Sequence, residues 1–232
     1  MMTMQQLPLH VQLRERATFA TFVTGSNVEV MAKLNHAASR SERTVLWLWG
    51  AEGSGRTHLL HAACAAAPLG SRVAYLPLRE LGDTSIDFLG GAPSAELLCL
   101  DDVESILGTP AIEQALLIAY RQIEERGGRI IATACGAPGA LRWGLADIGS
   151  RFGAAEVFQI RPLDETGQYE ALRLRATQRG LELPDETARY LLRRFPRDMR
   201  SLGKLLDEID VASLSAQRRL TVPFVREILG EP

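Results

Sequence analysis

The chain contains 232 residues, of which 46% are hydrophobic and 23% are charged, and its formal net charge is −2. This length and apolar content can fill the cores of one large and one small domain without disulfides or a structural metal. The slightly acidic balance opposes a broad DNA-binding face, because neutralising phosphates requires clustered lysine and arginine.

The cysteines and the absence of targeting signals indicate the compartment. Cys64, Cys99 and Cys135 are scattered in apolar runs without CxxC spacing, so we expect three buried, reduced thiols. The N-terminus lacks a positive segment followed by an apolar core, and no apolar run approaches the roughly 20 residues of a membrane span. We therefore expect a cytoplasmic protein with no membrane partner.

The predicted elements begin after a tail, residues 1–12, that precedes any strand or helix pattern. Four apolar runs follow between residues 44 and 160, namely TVLWLWG, VAYLPL, LLCLDD and RIIATA. Helices are predicted between them at 57–66 and 112–125, the second stopped by Gly127 and Gly128. Apolar strands that alternate with amphipathic helices predict a parallel sheet covered by helices.

Strand patterns cease after Arg161 and Pro162, and three or four helical patterns follow. Asp164 is a predicted N-cap of a helix that runs to Arg179, and Gly180 stands just beyond its end. The later helices are separated by Pro184, Pro196 and Pro223. Residues 162–232 are therefore predicted to form a small all-helical lid domain.

A phosphate-binding loop is predicted between the first strand and the helix that follows it. Gly50-Ala51-Glu52-Gly53-Ser54-Gly55-Arg56-Thr57 matches G-x-x-x-x-G-K-[ST] except at Arg56, where lysine is expected. Backbone N–H groups and the helix dipole converge at such a turn, and the Thr57 hydroxyl is placed to ligate Mg²⁺. A glycine-rich turn without a ligand is the alternative, and Arg56 favours it because an arginine fork does not replace an ammonium group. The candidate nucleotide-binding residues here are Gly50, Gly53, Ser54, Gly55, Arg56, Thr57 and His58.

A second, independent signal is the apolar strand that ends in Asp101 and Asp102. This is the Walker B form, in which Asp101 would hold Mg²⁺ and Asp102 would position or deprotonate the attacking water. The alternative is that the two acids only cap the following helix, and it weighs more for Asp102 than for Asp101.

With the phosphate loop and the acidic strand in this order, the chain resembles the DnaA-type AAA+ family over essentially its whole length, and most closely its shorter Hda-type members. The most specific stretches are ATFATF at 17–22, GRTHLLHAACA, Gly149-Ser150-Arg151-Phe152 and AQRRLTVPFVREIL. The resemblance implies an α/β fold: a three-layer AAA+ domain with a parallel sheet at 13–161, then the helical lid at 162–232. DnaA carries a further C-terminal DNA-binding domain, whereas this sequence ends after the lid at Pro232, as expected of a regulator.

The same resemblance assigns roles to single residues. Residues 23–27, from Val23 to Asn27, match the segment that lies against adenine, and Arg151 matches the arginine finger offered to a neighbour's nucleotide. Arg200 matches the lid arginine that touches phosphate, and Thr133 matches the first sensor. Without the resemblance, a lone arginine is usually a solvated surface residue.

One departure from the family pattern bears on hydrolysis. The DnaA pattern at the first sensor runs Thr-x-Asp, whereas this chain has Thr133-Ala134-Cys135. With Arg56, this departure favours binding of ADP, or ATP, with Mg²⁺ and with weak or no ATPase activity of the chain's own. Hda-like proteins are associated with an ADP-bound active form.

The tail Gln5-Gln6-Leu7-Pro8-Leu9-His10-Val11 resembles the peptide by which replication proteins dock on the β sliding clamp of DNA polymerase III. Gln6, Leu7 and Leu9 are the candidate clamp-binding residues, because an extended tail can place leucines in an apolar cleft while glutamine fixes orientation. His10 departs from the expected aromatic residue. The alternative is an apolar tail with no partner.

These observations favour a negative regulator of replication initiation. In this hypothesis the ADP-bound chain docks on the DNA-loaded clamp, meets DNA only indirectly, and presents Arg151 to ATP held by DnaA. The alternatives are a self-sufficient AAA+ ATPase that loads or remodels a replication protein, and a DNA-binding DnaA-like paralogue. A homodimer that hides Arg151 is also left open.

Overall fold

In the computed structural model, the described residues are 17–39, 42–195, 199–216 and 219–229. The centre of the molecule is a five-stranded parallel sheet in the order β2-β3-β4-β1-β5. Its strands are β1 (Thr44–Trp49), β2 (Val73–Pro77), β3 (Leu97–Asp101), β4 (Arg129–Ala134) and β5 (Glu156–Gln159). Because all strands run parallel, their carboxyl ends lie along one edge, where binding sites of open α/β sheets form.

Helices cover both faces of the sheet. They are α1 (Val28–Ser39), α2 (Arg56–Ala66), α3 (Leu78–Leu81), α4 (Ser85–Gly91), α5 (Pro110–Glu125) and α6 (Ala146–Gly153). Alternate side chains of each strand point to opposite faces. Leu46 and Leu48 of β1 pack with α1 and α2, whereas Trp47 packs with α5 and α6. The two apolar clusters and the sheet between them confirm the predicted three-layer α/β fold.

The C-terminal helices form a separate apolar cluster. They are α7 (Glu165–Gln178), α8 (Asp185–Arg194), α9 (Met199–Ala216) and α10 (Val222–Ile228). As predicted, the Asp164 carboxylate caps α7, accepting a hydrogen bond from the Gly167 N–H at 2.8 Å. Gly180 follows the helix with a φ of +74°, a left-handed conformation that favours glycine.

The sequence predictions differ from the structure in a few places. The first predicted helix begins one residue earlier, at Arg56, and α1, α6 and the edge strand β5 were not predicted as separate elements. The prediction of three buried cysteines is wrong for Cys135, which is exposed because it follows the last residue of β4. Among the described residues, no helix has the length and apolarity needed to span a membrane. The predicted tail, 1–12, lies outside them.

Candidate nucleotide-binding site

The loop between β1 and α2 has the backbone that its glycines predict. Gly53 and Gly55 adopt φ values of +76° and +99°, and α2 begins at the next residue, Arg56. A Cβ atom on Gly55 would lie 2.7 Å from Cε2 of Phe22, and one on Gly50 would lie 2.7 Å from the carbonyl oxygen of Ile160. Glycine is therefore required at Gly55 by its left-handed backbone and by the Phe22 ring, and at Gly50 by the packed backbone of Ile160.

A cavity of about 260 Å³ opens beside this loop. It is lined by the loop itself, by the N-terminal segment that precedes α1, and by the connection from β5 into α7. Of the predicted site residues, it brings together Val23, Asn27, Gly53, Ser54, Gly55 and His58. Ser54 Oγ is buried and has no hydrogen-bond partner, which marks an unmet polar atom at the cavity.

The N-terminal wall of the cavity is tied down by side-chain hydrogen bonds. The Asn27 amide donates to the Arg161 carbonyl at 3.0 Å and accepts from the Arg161 N–H at 2.8 Å. His58 Nε2 lies 3.0 Å from the Thr18 carbonyl and 3.3 Å from Thr21 Oγ1. Asn27 and His58 therefore fix the position of the segment that carries Val23, in addition to lining the cavity.

Asp101, the last residue of β3, is buried, and each of its carboxylate oxygens accepts a hydrogen bond from a hydroxyl group. Thr133 Oγ1 donates to Oδ1, and the Tyr75 hydroxyl donates to Oδ2 at 2.9 Å. Burial and the adjacent Asp101 carboxylate raise the pKa of Tyr75 well above its ordinary value. The predicted sensor Thr133 thus meets Asp101, as the parallel strands β3 and β4 require.

The second acid, Asp102, lies in a cluster of four charges. Its backbone is left-handed, with a φ of +54°, and its N–H donates to Thr133 Oγ1 at 3.1 Å. Arg56 lies 3.5 Å from Asp102 Oδ1 and 3.8 Å from Glu104 Oε1. Arg79 contacts the same two acids, at 2.8 Å and 3.2 Å. The arginine that replaces the expected lysine is therefore directed towards Asp102 and Glu104.

The candidate magnesium ligands lie at this edge of the sheet. Thr57 is exposed in the first turn of α2, and Asp101 ends β3. A hydroxyl and a carboxylate are hard oxygen donors of the kind that Mg²⁺ uses alongside nucleotide phosphates. The donor set therefore fits a magnesium–nucleotide site.

Arg151 lies on α6, and its contacts are with α5 and with its own helix. Its Nε donates to Asp147 Oδ1 at 3.1 Å, and its Nη1 donates to Glu124 Oε2 at 2.8 Å. The guanidinium carbon lies 5.6 Å from the centre of the Tyr120 ring. The side chain is 29% exposed and is not among the residues that line the cavity beside the phosphate loop.

The comparison with protein families decides the wider relationship. The family model of the bacterial DnaA ATPase domain matches residues 13–157, more than half of the chain. The chain belongs to the bacterial DnaA ATPase family. Residues 164–229 match the Hda lid domain, so the resemblance to DnaA-type proteins and to their Hda-type members is confirmed.

Solved structures of DnaA and of a branch migration motor share the fold. Domain III of the Thermotoga maritima initiator DnaA has a TM-score of 0.80 at 21% identity, over 92% of this chain and 95% of that one. AMPPCP-bound DnaA from Aquifex aeolicus has a TM-score of 0.71 at 22% identity, over 88% of this chain and 68% of that one. The Thermotoga maritima Holliday junction branch migration motor RuvB has a TM-score of 0.69 at 19% identity, over 94% of this chain and 73% of that one.

Several site residues of this DnaA-type chain were not found from the sequence. Tyr75 within β2 and Arg79 in α3, the helix that follows β2, reach Asp101 and Asp102 because β2 lies beside β3. Arg161 and Arg175 line the cavity from the sheet-to-lid connection and from α7, without a motif to mark them. The side chain of Arg200 and the tail residues Gln6, Leu7 and Leu9 lie outside the described part of the chain.

Proposed function

We propose that this DnaA-related AAA+ protein is a negative regulator of replication initiation. It holds ADP, docks on the DNA-loaded β sliding clamp through its tail, and stimulates hydrolysis of DnaA-bound ATP with Arg151. The observation that carries the proposal is the placement of Arg151, which is partly exposed on α6 and outside the chain's own nucleotide cavity. A guanidinium so placed acts on a nucleotide that another molecule holds.

Weak hydrolysis by the chain's own site is supported by the cluster around Asp102. One carboxylate oxygen faces Arg56 and the other accepts from Arg79, so this carboxylate is less available to orient or deprotonate water. Arg56 is 10% exposed and lies between Asp102 and Glu104. An arginine drawn to these acids is a poorer partner for a γ-phosphate than the lysine of an active phosphate loop.

The nucleotide is proposed to lie in the cavity beside the phosphate loop. Val23 and the neighbouring wall face the base, the N–H groups of residues 53–57 surround the phosphates, and Arg175 lines the cavity from the lid. The family resemblance assigns phosphate contact to Arg200 as well. Thr57 and Asp101 would hold Mg²⁺, which neutralises phosphate charge when it is bound. The chain has a net charge of −2, so contact with DNA is proposed to pass through the clamp.

The experiment measures hydrolysis of DnaA-bound ATP in the presence of clamp loaded on DNA. The protein is expected to stimulate hydrolysis, and Arg151→Ala is expected to lose the stimulation by about 10³-fold or to background, because a finger supplies about 10³–10⁵ in rate. The matched control is Arg72→Ala, which removes an exposed arginine that pairs with Glu96 at 3.2 Å, and it should retain full stimulation.

A tail variant and the isolated protein complete the test. The double variant Gln6→Ala, Leu7→Ala should lose the stimulation that depends on the DNA-loaded clamp, while its binding of ADP remains normal. If the protein does not stimulate DnaA-bound hydrolysis but hydrolyses ATP rapidly by itself, the regulatory proposal is wrong and the self-sufficient ATPase is correct. Equal stimulation by the protein and Arg151→Ala would also overturn the role of the finger.

A further inference from the structure

Arg151 is the central member of a continuous chain of ion pairs between α5, α6 and the segment before β1. Its order is Arg43, Glu124, Arg151, Asp147 and Arg121. Each carboxylate divides its oxygens between two arginines. Glu124 receives Arg43 on Oε1 and Arg151 on Oε2, and Asp147 receives Arg151 on Oδ1 and Arg121 on Oδ2.

The spacing of these residues holds the chain together. Asp147 and Arg151 are four residues apart on α6, and Arg121 and Glu124 are three apart on α5, so each pair shares a helix face. Glu124 and Arg151 are the least exposed members, at 22% and 29%, whereas Arg43 is 61% exposed and Arg121 is 49% exposed. The central pair is thus partly shielded, and both flanking arginines reach solvent.

The chain of ion pairs leaves one nitrogen of the Arg151 guanidinium available as a hydrogen-bond donor. Its Nε and Nη1 are engaged, and Nη2 donates to no acceptor within the described residues. A planar guanidinium offers its donors as a rigid fork that matches the oxygens of a phosphate. An incoming phosphate therefore finds one free Nη2 edge before the existing bonds are broken.

The charges also favour release of the finger. The five residues carry three positive and two negative charges, one positive charge in excess. When Arg151 moves to a phosphate, Glu124 retains Arg43 and Asp147 retains Arg121. Both carboxylates therefore keep a cation. A carboxylate left without one would be costly, as it is when a partly buried ion pair is broken.

We infer that this ion-pair chain is a holder for the arginine finger, in which Glu124 and Asp147 restrain Arg151 and in which Arg43 and Arg121 ease its release to a triphosphate on a partner protein. The inference rests on the proposed action of Arg151 in trans. Arg43, Arg121, Glu124 and Asp147 are positioning residues, since they act through Arg151.

The first test measures how strongly the ion pairs restrain Arg151 in the protein alone, without any partner. Arginines are modified with phenylglyoxal, and the rate at Arg151 is followed by peptide mass spectrometry. Glu124→Gln and Asp147→Asn should each raise the rate at Arg151 roughly two- to fivefold, the effect of losing one surface ion pair, and the double variant should raise it further. Arg72, paired with Glu96 elsewhere, is the internal reference and should not change. An unchanged Arg151 rate in a double variant with normal melting overturns the holder.

The second test measures stimulation of DnaA-bound ATP hydrolysis against protein concentration. Arg43→Ala and Arg121→Ala should raise the concentration for half-maximal stimulation roughly two- to fivefold, because each leaves a carboxylate to Arg151 alone. Glu124→Gln should lower this concentration, and it should have no effect in an Arg151→Ala background. A lower concentration for the two arginine variants and a higher one for Glu124→Gln would overturn the inference. If the modification rates follow the expectation but the unmodified protein gives no stimulation, the holder stands and the proposed function fails.

Discussion

Replacing Tyr75 with phenylalanine tests the buried hydrogen bond at the end of β3. The Tyr75 hydroxyl donates to Asp101 Oδ2 at 2.9 Å, and the two side chains belong to residues that are 8% and 4% exposed. A hydrogen bond to a charged group contributes about 1.5–3 kcal/mol to stability. Phenylalanine keeps the ring and its contact with His61, 4.5 Å between centres, so the loss is confined to the hydroxyl. We expect the free energy of unfolding at pH 7.5 to fall by about 1.5–3 kcal/mol.

The pH dependence of this difference has a defined sign. Burial and Asp101 raise the pKa of Tyr75 in the folded protein above its ordinary value of 10.0. Below pH 10 the hydroxyl is protonated in both states, so its full contribution is present. Above pH 10 the unfolded state loses the proton while the folded state keeps it, and stability falls by up to about 1.4 kcal/mol per pH unit. Tyr75→Phe lacks this loss, so the gap between the two proteins should narrow from pH 10 to pH 11.

The assay is urea unfolding of both proteins at pH 7.5, 10 and 11. Other groups titrate alike in the two proteins and cancel in the difference. Tyr169→Phe is the matched control: the Tyr169 hydroxyl donates to Asp185 at 2.6 Å, but the Asp185 side chain is 64% exposed. Its loss should stay below about 1 kcal/mol, as for other exposed polar pairs. A Tyr75→Phe protein as stable as its parent at pH 7.5, or a gap that stays constant to pH 11, would refute the reasoning.

Three further substitutions address the phosphate loop, the interior and the lid. Gly55→Ala adds a Cβ at a φ of +99° and 2.7 Å from the Phe22 ring, so binding of a fluorescent ADP should weaken at least about tenfold. Gly70→Ala is the control: its φ is +87° but nothing lies within 4 Å of the added Cβ, so ADP binding should be unchanged. Glu113→Ala removes a buried carboxylate that accepts three backbone N–H groups, at 2.7–3.0 Å, and should cost roughly 3–5 kcal/mol in urea unfolding; a cost under about 1 kcal/mol would contradict this. Asp164→Ala removes the cap of α7 and should cost about 0.5–2 kcal/mol, whereas unchanged unfolding would show that the cap is dispensable.

Much of the fold follows from local patterns in the sequence. The strands β1 to β4 are apolar runs that are largely buried on both faces. A continuous apolar run of this length indicates a strand of a parallel sheet, and it can be recognised without knowing which strands pair with it. Asp164 and Gly180 mark the ends of α7 through short-range backbone chemistry. The edge strand β5 is largely exposed, with Glu156, Val157 and Gln159 open to solvent, so it lacks that signature.

The site was harder to predict because its contacts depend on strand order. Asp101 and the phosphate loop were found from motifs that lie within one strand and turn. Tyr75 and Arg79 reach the acids only because β2 pairs with β3, which a single sequence does not encode locally. The direction of Arg56, towards Asp102 and Glu104, depends likewise on side-chain packing across elements. Cys135 was misplaced for a simpler reason, because the apolar run ends one residue before it.

The two hydrogen bonds between Asn27 and the backbone of Arg161 anchor the point where the chain leaves the sheet for the lid. Hydrogen bonds of 2.8 Å and 3.0 Å hold the Arg161 backbone to Asn27, in the segment that forms the N-terminal wall of the cavity. The lid's first helix begins at Glu165, behind a cap at Asp164. Only Pro162 and Leu163 lie between this anchored backbone and the helix cap, and the proline ring allows little change in φ. This short and restricted connection therefore couples the position of the lid to the wall of the cavity.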